Sequence, residues 1–319
     1  MGTPNLEAFP FFLKFIVYIE SMIQAQADAF FPGGIRGVRS ARIGTADLHS
    51  HTSLSDGTLT VEALIRLAAR KGLTCLSITD HDNVDSYGQG RKLAEDLGVE
   101  LIPGIELSSV HQGKDIHILG YFCDTTNLAM NLELEEQAKV RHTRVKAIVK
   151  KLNTLGIELT YEKVLTFCKG PVIGRPHIAM AMVAEEYVSN FAEAFHKYLA
   201  ENALAYVEKK GISPPQAIRM IENAGGIAVM AHPLKTNADY LLEPLVEAGL
   251  KGIEIYCPGQ KGSAGRKYRE FALKYNLIGT GGSDFHSEGT VVGLGALKMP
   301  YSVVEALKER REKSHAEWF

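Results

Sequence analysis

The chain has 319 residues and a mass of 35.0 kDa, with 45% hydrophobic, 23% charged and 8% aromatic residues. That composition is typical of soluble globular proteins and excludes a disordered chain, a collagen-like repeat and a multi-span membrane protein. With 35 basic and 37 acidic side chains the net charge is −2, which gives no electrostatic reason for long duplex DNA or an anionic membrane to be the main partner.

At the N-terminus, residues 9–19 (FPFFLKFIVYI) are apolar and the Ala-Gln-Ala at 25–27 resembles a leader cleavage site. A leader needs a basic start, however, and the first eight residues carry Glu7 and no basic side chain, while Pro10 and Lys14 interrupt the run. The run is also shorter than the about 20 residues of a spanning helix. Residues 1–40 are read as an N-terminal extension holding a packed or partner-facing helix, jointed at Pro32-Gly33-Gly34. A misassigned start codon is the plain alternative.

From residue 41 onward, short apolar runs alternate with amphipathic stretches. Strands are predicted at 43–48, 74–79, 100–107, 115–122, 226–231, 252–257 and 277–281, and helices at 60–71, 86–97, 214–224, 238–249, 263–275 and 302–313. Thr60 and Gly72 bracket one helix, and Ser213-Pro214 starts another. Such alternation predicts parallel strands joined by crossover helices. Between 124 and 212 the rhythm changes to helix alone, with one long helix over 127–155 and more over 177–200. This stretch is read as a helical insertion over one end of a barrel made by 41–123 and 213–319. Four cysteines, at 75, 123, 168 and 257, form no CxxC and favour a reducing cytoplasm.

The unusual count is eleven histidines, many beside carboxylates. Asp47-Leu-His49-Ser-His51 ends the first strand, and alternation points both imidazoles to one side, where they can share a metal. Asp47 points the same way and is a candidate partner for a ring nitrogen. A lone HxH is weak evidence, because a polar strand end explains it equally well. The pattern recurs, however, in Thr79-Asp80-His81-Asp82, Gly104-Ile-Glu106, Asp115-Ile-His117, Ala231-His232-Pro233 and Ser283-Asp284-Phe-His286. Six of the seven predicted strands thus carry such a group at or near the C-terminal end, where parallel α/β folds place ligands.

Histidine and carboxylate without cysteine suit Mn²⁺, Fe²⁺ or Zn²⁺. The candidate ligands are His49, His51, Asp56, His81, Glu106, His117, His232, Asp284 and His286. At about three ligands per catalytic ion, this set implies two or three ions. Clustered divalent ions favour phosphate ester hydrolysis by metal-activated hydroxide attack on phosphorus. No GxSxG, P-loop or dinucleotide fingerprint competes with this reading.

With these residues assembled, the chain resembles the PHP (polymerase and histidinol phosphatase) superfamily. The resemblance rests on Asp47-Leu-His49-Ser-His51 with Asp56-Gly57, Thr79-Asp80-His81-Asp82, Pro103-Gly-Ile-Glu106, His117-Ile-Leu-Gly120-Tyr, Ala231-His232-Pro233 and Gly282-Ser-Asp284-Phe-His286. Gly174-Arg175-Pro176-His177 and Ala205-Tyr206-Val207 point to the branch that hydrolyses 3′,5′-nucleoside bisphosphates and degrades short RNA from its 5′ end. The resemblance implies a distorted (β/α)₇ barrel. It also implies one ion on His49, His51, Glu106 and Asp284, a second on Asp56, His81 and His286, and a third on Glu106, His117 and His232, with Glu106 bridging. Catalysis would centre on His81, Asp284 and His286, and Arg175 would bind a substrate phosphate with His177 nearby. Two departures fall on the substrate side: Asn202-Ala203-Leu204 replaces a Gly-Lys-Pro, and Leu234-Lys235 replaces the commoner Gly-Arg after His232-Pro233.

Other charged groups have plainer explanations. Arg141, Arg144 and Lys146 suit a solvated face paired with Glu133, Glu135 and Glu136, with Arg141 the one candidate for the substrate anion. His111, His142, His196 and His315 are read as surface residues. The expectation is therefore a cytoplasmic, Mn²⁺-dependent phosphoesterase, with Fe²⁺ or Zn²⁺ as alternatives, acting on a small phosphorylated substrate or a short oligonucleotide. A histidinol phosphatase, or a metal-stabilised binding module without turnover, are the rivals.

Overall fold

A computed structural model describes residues 44–259, 262–289 and 292–316, so the reading of residues 1–40 falls outside the described part. Strands β1 (Thr45–Asp47), β2 (Cys75–Ile78), β3 (Glu100–His111), β4 (Lys114–Tyr121), β5 (Ile227–Met230), β6 (Gly252–Tyr256) and β7 (Ile278–Gly281) match the seven predicted runs. An eighth, β8 (Met299–Pro300), is only two residues long, too short to leave a periodic trace in the sequence. The sheet order is β7-β6-β5-β4-β3-β2-β1-β8. At its top edge the sheet curls towards closure. Leu48 N donates to Gly281 O at 3.2 Å, Asp284 N to His49 O at 2.9 Å and His51 N to Phe285 O at 2.8 Å, joining the ends of β1 and β7.

The all-parallel expectation fails at one strand. β4 runs antiparallel to both β3 and β5, with Ser108 opposite His117 and Ile118 opposite Met230. The cause is a two-residue turn at Gln112-Gly113, both with positive φ (49° and 81°), which closes a hairpin and is far too short for a crossover. The early residues of β4 therefore lie at the same end of the barrel as the late residues of its parallel neighbours. His117 is at the rim because its strand is reversed.

That reversal also explains the long helix. β4 exits at the opposite end, where Tyr121 pairs with Gly104 and Ile227, so the chain must climb back to reach the rim. It does so in α3 (Leu128–Thr154), whose 27 residues span about 40 Å. Arg141, 13 residues into the climb and about 20 Å up, already meets Asp82 at the rim. Above it, Val145, Ile148, Val149 and Leu152 enter a buried cluster with Ile157, Leu159, Val164, Ile178, Met182 and Leu199, the core of the helical segment. That segment holds α4 (Tyr161–Leu165), α5 (Arg175–Ala184) and α6 (Phe191–Ala194), the last running into a π-helical turn over Phe195–Leu199. The helix expected over 177–200 comes in two pieces, because Asn190 restarts the chain by accepting from Glu193 N.

The barrel helices include α1 (Val61–Arg70), α2 (Asp85–Asp96) and α7 (Pro214–Asn223); α1 begins where Thr60 accepts from Ala63 N, as its sequence predicts. It buries Val61, Leu64, Ile65, Leu67 and Ala68, each large aliphatic contributing about 1.5–3 kcal/mol. Among the described residues no helix is long and apolar enough to cross a membrane.

Glycine is required at the β1–β7 seam. A Cβ on Gly282 would run into the backbone and Cβ of His49 and into Asp47 Oδ1, none of which can withdraw without opening the seam. Gly282→Ala should therefore lower stability by about 1–3 kcal/mol or more, read as a shifted urea midpoint at constant m-value.

Candidate metal centre

The nine predicted ligands come from seven elements and converge on the rim. His49 and His51, both 0% exposed, leave the end of β1 on one side, with the buried Ser50 between them donating to Ser77 O. Asp56 sits on the following loop, which Asp80 ties down by accepting from Thr52 N, Thr52 Oγ1 and Ser55 Oγ, each at 2.7 Å. His81 follows β2, Glu106 is where β3 passes the rim, His117 stands early in β4, His232 follows β5, and Asp284 and His286 follow β7.

Glu106 is the hub. Its Oε2 faces His49 Nε2 at 3.3 Å, His51 Nε2 at 3.2 Å and His81 Nδ1 at 3.1 Å, while Oε1 meets His117 Nδ1 at 2.8 Å and His232 Nε2 at 3.0 Å. Asp284 Oδ1 lies 3.5 Å from His49 Nε2 and 3.4 Å from His51 Nε2. Asp56 faces His286 at 3.3 Å and His81 at 3.8 Å. Three groups have donor atoms close enough to share an ion: His49, His51 and Asp284; His51, Asp56, His81 and His286; and His81, Glu106 and His117. His81 belongs to two of them, with Nδ1 towards Glu106 and Nε2 towards Asp56.

The donor set fits divalent cations on a direct observation. His49 Nε2, both ring nitrogens of His51, His81 Nδ1, His232 Nδ1 and Glu106 Oε2 are buried without a hydrogen-bond partner. Orphaned buried polar atoms are costly, and six in one cluster are explained when they point at a positive charge. The protonation balance is divided in the same way. Burial opposes a charge on His51, but Asp284 and Glu106 override it and push its pKa up to about 10. Burial instead holds the adjacent His81 down to about 3. Closely packed imidazoles cannot all be protonated, so the carboxylates need another counter-charge.

The surroundings fix this geometry. Glu254, buried on β6, takes His49 Nδ1 at 3.0 Å through one oxygen and accepts from His232 N at 2.7 Å through the other. The sequence reading missed it, since one Glu inside Gly-Ile-Glu-Ile-Tyr resembles an ordinary strand residue. The usable signal is a charged group at a position whose neighbours are all buried. The role foreseen for Asp47 therefore belongs to Glu254; Asp47 accepts from the amides of His49, Ser283 and Gly295 and clamps the β1–β7 seam. Asp82, His232 and Asp284 have φ of 46°, 25° and 53°, left-handed backbone that non-glycine residues seldom adopt and that concentrates at working sites.

The predicted substrate residues divide. Arg175 Nη2 donates to Asp115 Oδ2 at 3.1 Å and Nη1 to Leu199 O at 3.2 Å, with its guanidinium 5.7 Å from the Phe195 ring. Asp115 is two residues from His117 on the same face, so Arg175 reaches the rim. His177 is 2% exposed and accepts from Gly174 N through Nδ1, with a further hydrogen bond to the Ser55 backbone. It ties α5 to the loop bearing Asp56, which leaves its ring no free edge for substrate. Arg141 is paired with Asp82 at 2.6 Å and Lys209 with Asp115 at 3.1 Å. Of the histidines read as surface groups, His196 is exposed, whereas His142 is half-buried and bonded to Tyr161 Oη.

Glu254→Gln should weaken metal binding by roughly 10- to 100-fold, because an amide cannot hold the His49 ring as strongly. Titration of the metal-stripped protein with Mn²⁺, followed by calorimetry, reads the change; an unaltered isotherm would show Glu254 to be a packing residue only.

The chain is similar to known proteins. The PHP domain model matches residues 47–212. A 5′-3′ exoribonuclease of Haemophilus influenzae is 34% identical over 245 residues, covering 75% of this chain and 89% of the relative. A phosphoribosyl 1,2-cyclic phosphate 1,2-diphosphodiesterase of Eggerthella lenta is 31% identical (76% and 94% covered), and a 3′,5′-nucleoside bisphosphate phosphatase of Chromobacterium violaceum is 30% identical (76% and 87%). Among solved structures, one from Bifidobacterium adolescentis assigned as a metal-dependent phosphoesterase superposes with a TM-score of 0.78 at 28% identity, over 85% of this chain and 98% of that one. By its sequence, its barrel and its convergent histidines and carboxylates, the chain belongs to the PHP family and is a metal-dependent phosphoesterase.

Proposed function

We propose that the protein hydrolyses phosphate monoesters of nucleotides that carry a second anionic group, namely 3′,5′-nucleoside bisphosphates, and that it also acts, as a phosphodiesterase, on the 5′ ends of short oligoribonucleotides. The observation that carries this reading is the charge balance beside the histidines. Arg141, Arg144, Arg175 and Lys209 surround two carboxylates, Asp82 and Asp115. Lys209 is almost buried, and burial pulls its pKa down despite Asp115. Burial and the neighbouring Arg175 lower Arg144 to about 10, and its Nη2 is buried without a partner. Four cations against two anions leave an excess that a second phosphate would satisfy, as guanidinium and ammonium groups bind phosphate oxygens well. Histidinol phosphate, with its ammonium group, would bring positive charge to an already positive wall.

In this reading His49, His51, Glu106 and Asp284 hold one ion, Asp56, His81 and His286 a second, and Glu106, His117 and His232 a third. When bound, divalent ions supply charge to bind the reacting phosphoryl oxygens and lower the pKa of attacking water. The chain's residues do the rest. Glu254 and Asp47 hold the ligands in register, His177 ties the helical segment to the Asp56 loop, and Arg175, Arg144 and Lys209 fix the distant phosphate so that the reacting one is presented to the centre. The mixed nitrogen and oxygen donors accept Mn²⁺, with Fe²⁺ or Zn²⁺ as alternatives, and a cytoplasmic setting is favoured by four cysteines that form no CxxC motif.

A phosphate-release screen with added Mn²⁺ across nucleoside monophosphates, 3′,5′-bisphosphates, a ribose cyclic phosphate, short RNA and histidinol phosphate tests this reading. The bisphosphate should lead, and preferred turnover of histidinol phosphate would overturn it. Asp284→Ala and His81→Ala should each abolish release while unfolding stays cooperative. Arg175→Ala should raise KM for adenosine 3′,5′-bisphosphate by about tenfold or more and leave a small aryl phosphate nearly unaffected.

A further inference from the structure

Lys235 stands at the metal centre without a role in the account above. It lies in a single helical turn, α8 (Pro233–Thr236), directly after His232. The turn is fixed at both ends. On one side His232 N is held by Glu254 Oε2 at 2.7 Å. On the other, Asn237 ends the turn in left-handed backbone (φ 47°), and Asp239 accepts from Tyr268 Oη at 3.0 Å and pairs with Lys267.

From this fixed turn Lys235 Nζ reaches Asp284 Oδ2 at 2.7 Å, while the other oxygen of Asp284 faces His49 and His51. Its side chain is 63% exposed, and Asp284 is its one carboxylate partner within ion-pair distance among the described residues. An ion pair this open adds little to stability, so structure alone gives little reason for it. An ammonium has three donors, and Asp284 takes one. The remaining two lie at the outer edge of the cluster, beside a carboxylate in contact with its imidazoles.

We infer that Lys235 is a substrate-contacting residue, donating from Nζ to a non-bridging oxygen of the phosphoryl group being hydrolysed, with Asp284 holding the ammonium in place. The inference rests on the phosphoesterase reading and adds a contact distinct from the Arg175 wall. Arg175 serves the distant phosphate, whereas Lys235 serves the reacting one, so it matters for every substrate.

Binding of inorganic phosphate to the full-length, Mn²⁺-loaded protein tests this by calorimetry, with bound metal measured by mass spectrometry. Lys235→Ala should weaken phosphate by about tenfold or more with metal content unchanged, and Lys235→Arg should restore most of the affinity. In turnover, Lys235→Ala should lower kcat/KM for adenosine 3′,5′-bisphosphate and for an aryl phosphate by similar factors. Unchanged phosphate affinity in Lys235→Ala overturns the inference. So does a loss of affinity that tracks a loss of metal, since Lys235 would then only position Asp284. Phosphate binding needs no turnover, so a wild-type protein that binds phosphate through Lys235 but releases none from any ester would overturn the phosphoesterase reading and leave the contact standing.

Discussion

One buried carboxylate, Glu106, faces five imidazoles, and much of the rim is arranged to make that possible. An anion 1% exposed is tolerable only with positive charge around it, and histidines packed this closely cannot supply it by protonation alone. The cluster is therefore a set of groups that are individually unfavourable and become stable together around cations. Their dispersal along the chain from His49 to His286 means that the whole barrel must be formed before the site exists. Asp47, Asp80 and Glu254 do not point into the centre's donor groups as ligands would; they hold the backbone and rings that carry them.

The helical segment solves a second electrostatic problem. Cations near a metal centre would repel the ions if nothing intervened, and here each inner cation is met by a carboxylate before it reaches the histidines: Arg141 by Asp82, Arg175 and Lys209 by Asp115. Asp82 and Asp115 are thus spacers between two regions of positive charge. Burial opposes ionisation of Asp115, yet Lys209, His117 and Arg175 hold its carboxyl well below the usual range, so it remains an anion across working pH.

Most of this was legible in the sequence because strand ends announce themselves. A short apolar run followed by His, Asp or Glu places the charged group at a rim, and repetition of that pattern located nine residues that the fold brings together. What escaped detection shares a different cause. Glu254 carries no periodic or clustered signature inside its apolar strand, and Lys235 shows in the sequence only as a departure after His232-Pro233; tertiary pairing with His49 and Asp284 gives each its meaning. The reversed β4 was readable from Gln112-Gly113 but was masked by the stronger alternation around it. His177 looked like a substrate group because it follows Arg175, whereas helix capping had already used its ring.

The long helix α3 has a consequence for motion. No glycine or proline interrupts Leu128–Thr154, so the part beside the barrel and the part inside the helical segment are one continuous rod. Swinging that segment away from the histidines would require bending the rod or breaking Arg141 from Asp82. Substrate exchange is thereby assigned to smaller pieces, such as the loop ahead of Gly174. Entry and release then become local events on the timescale of loops.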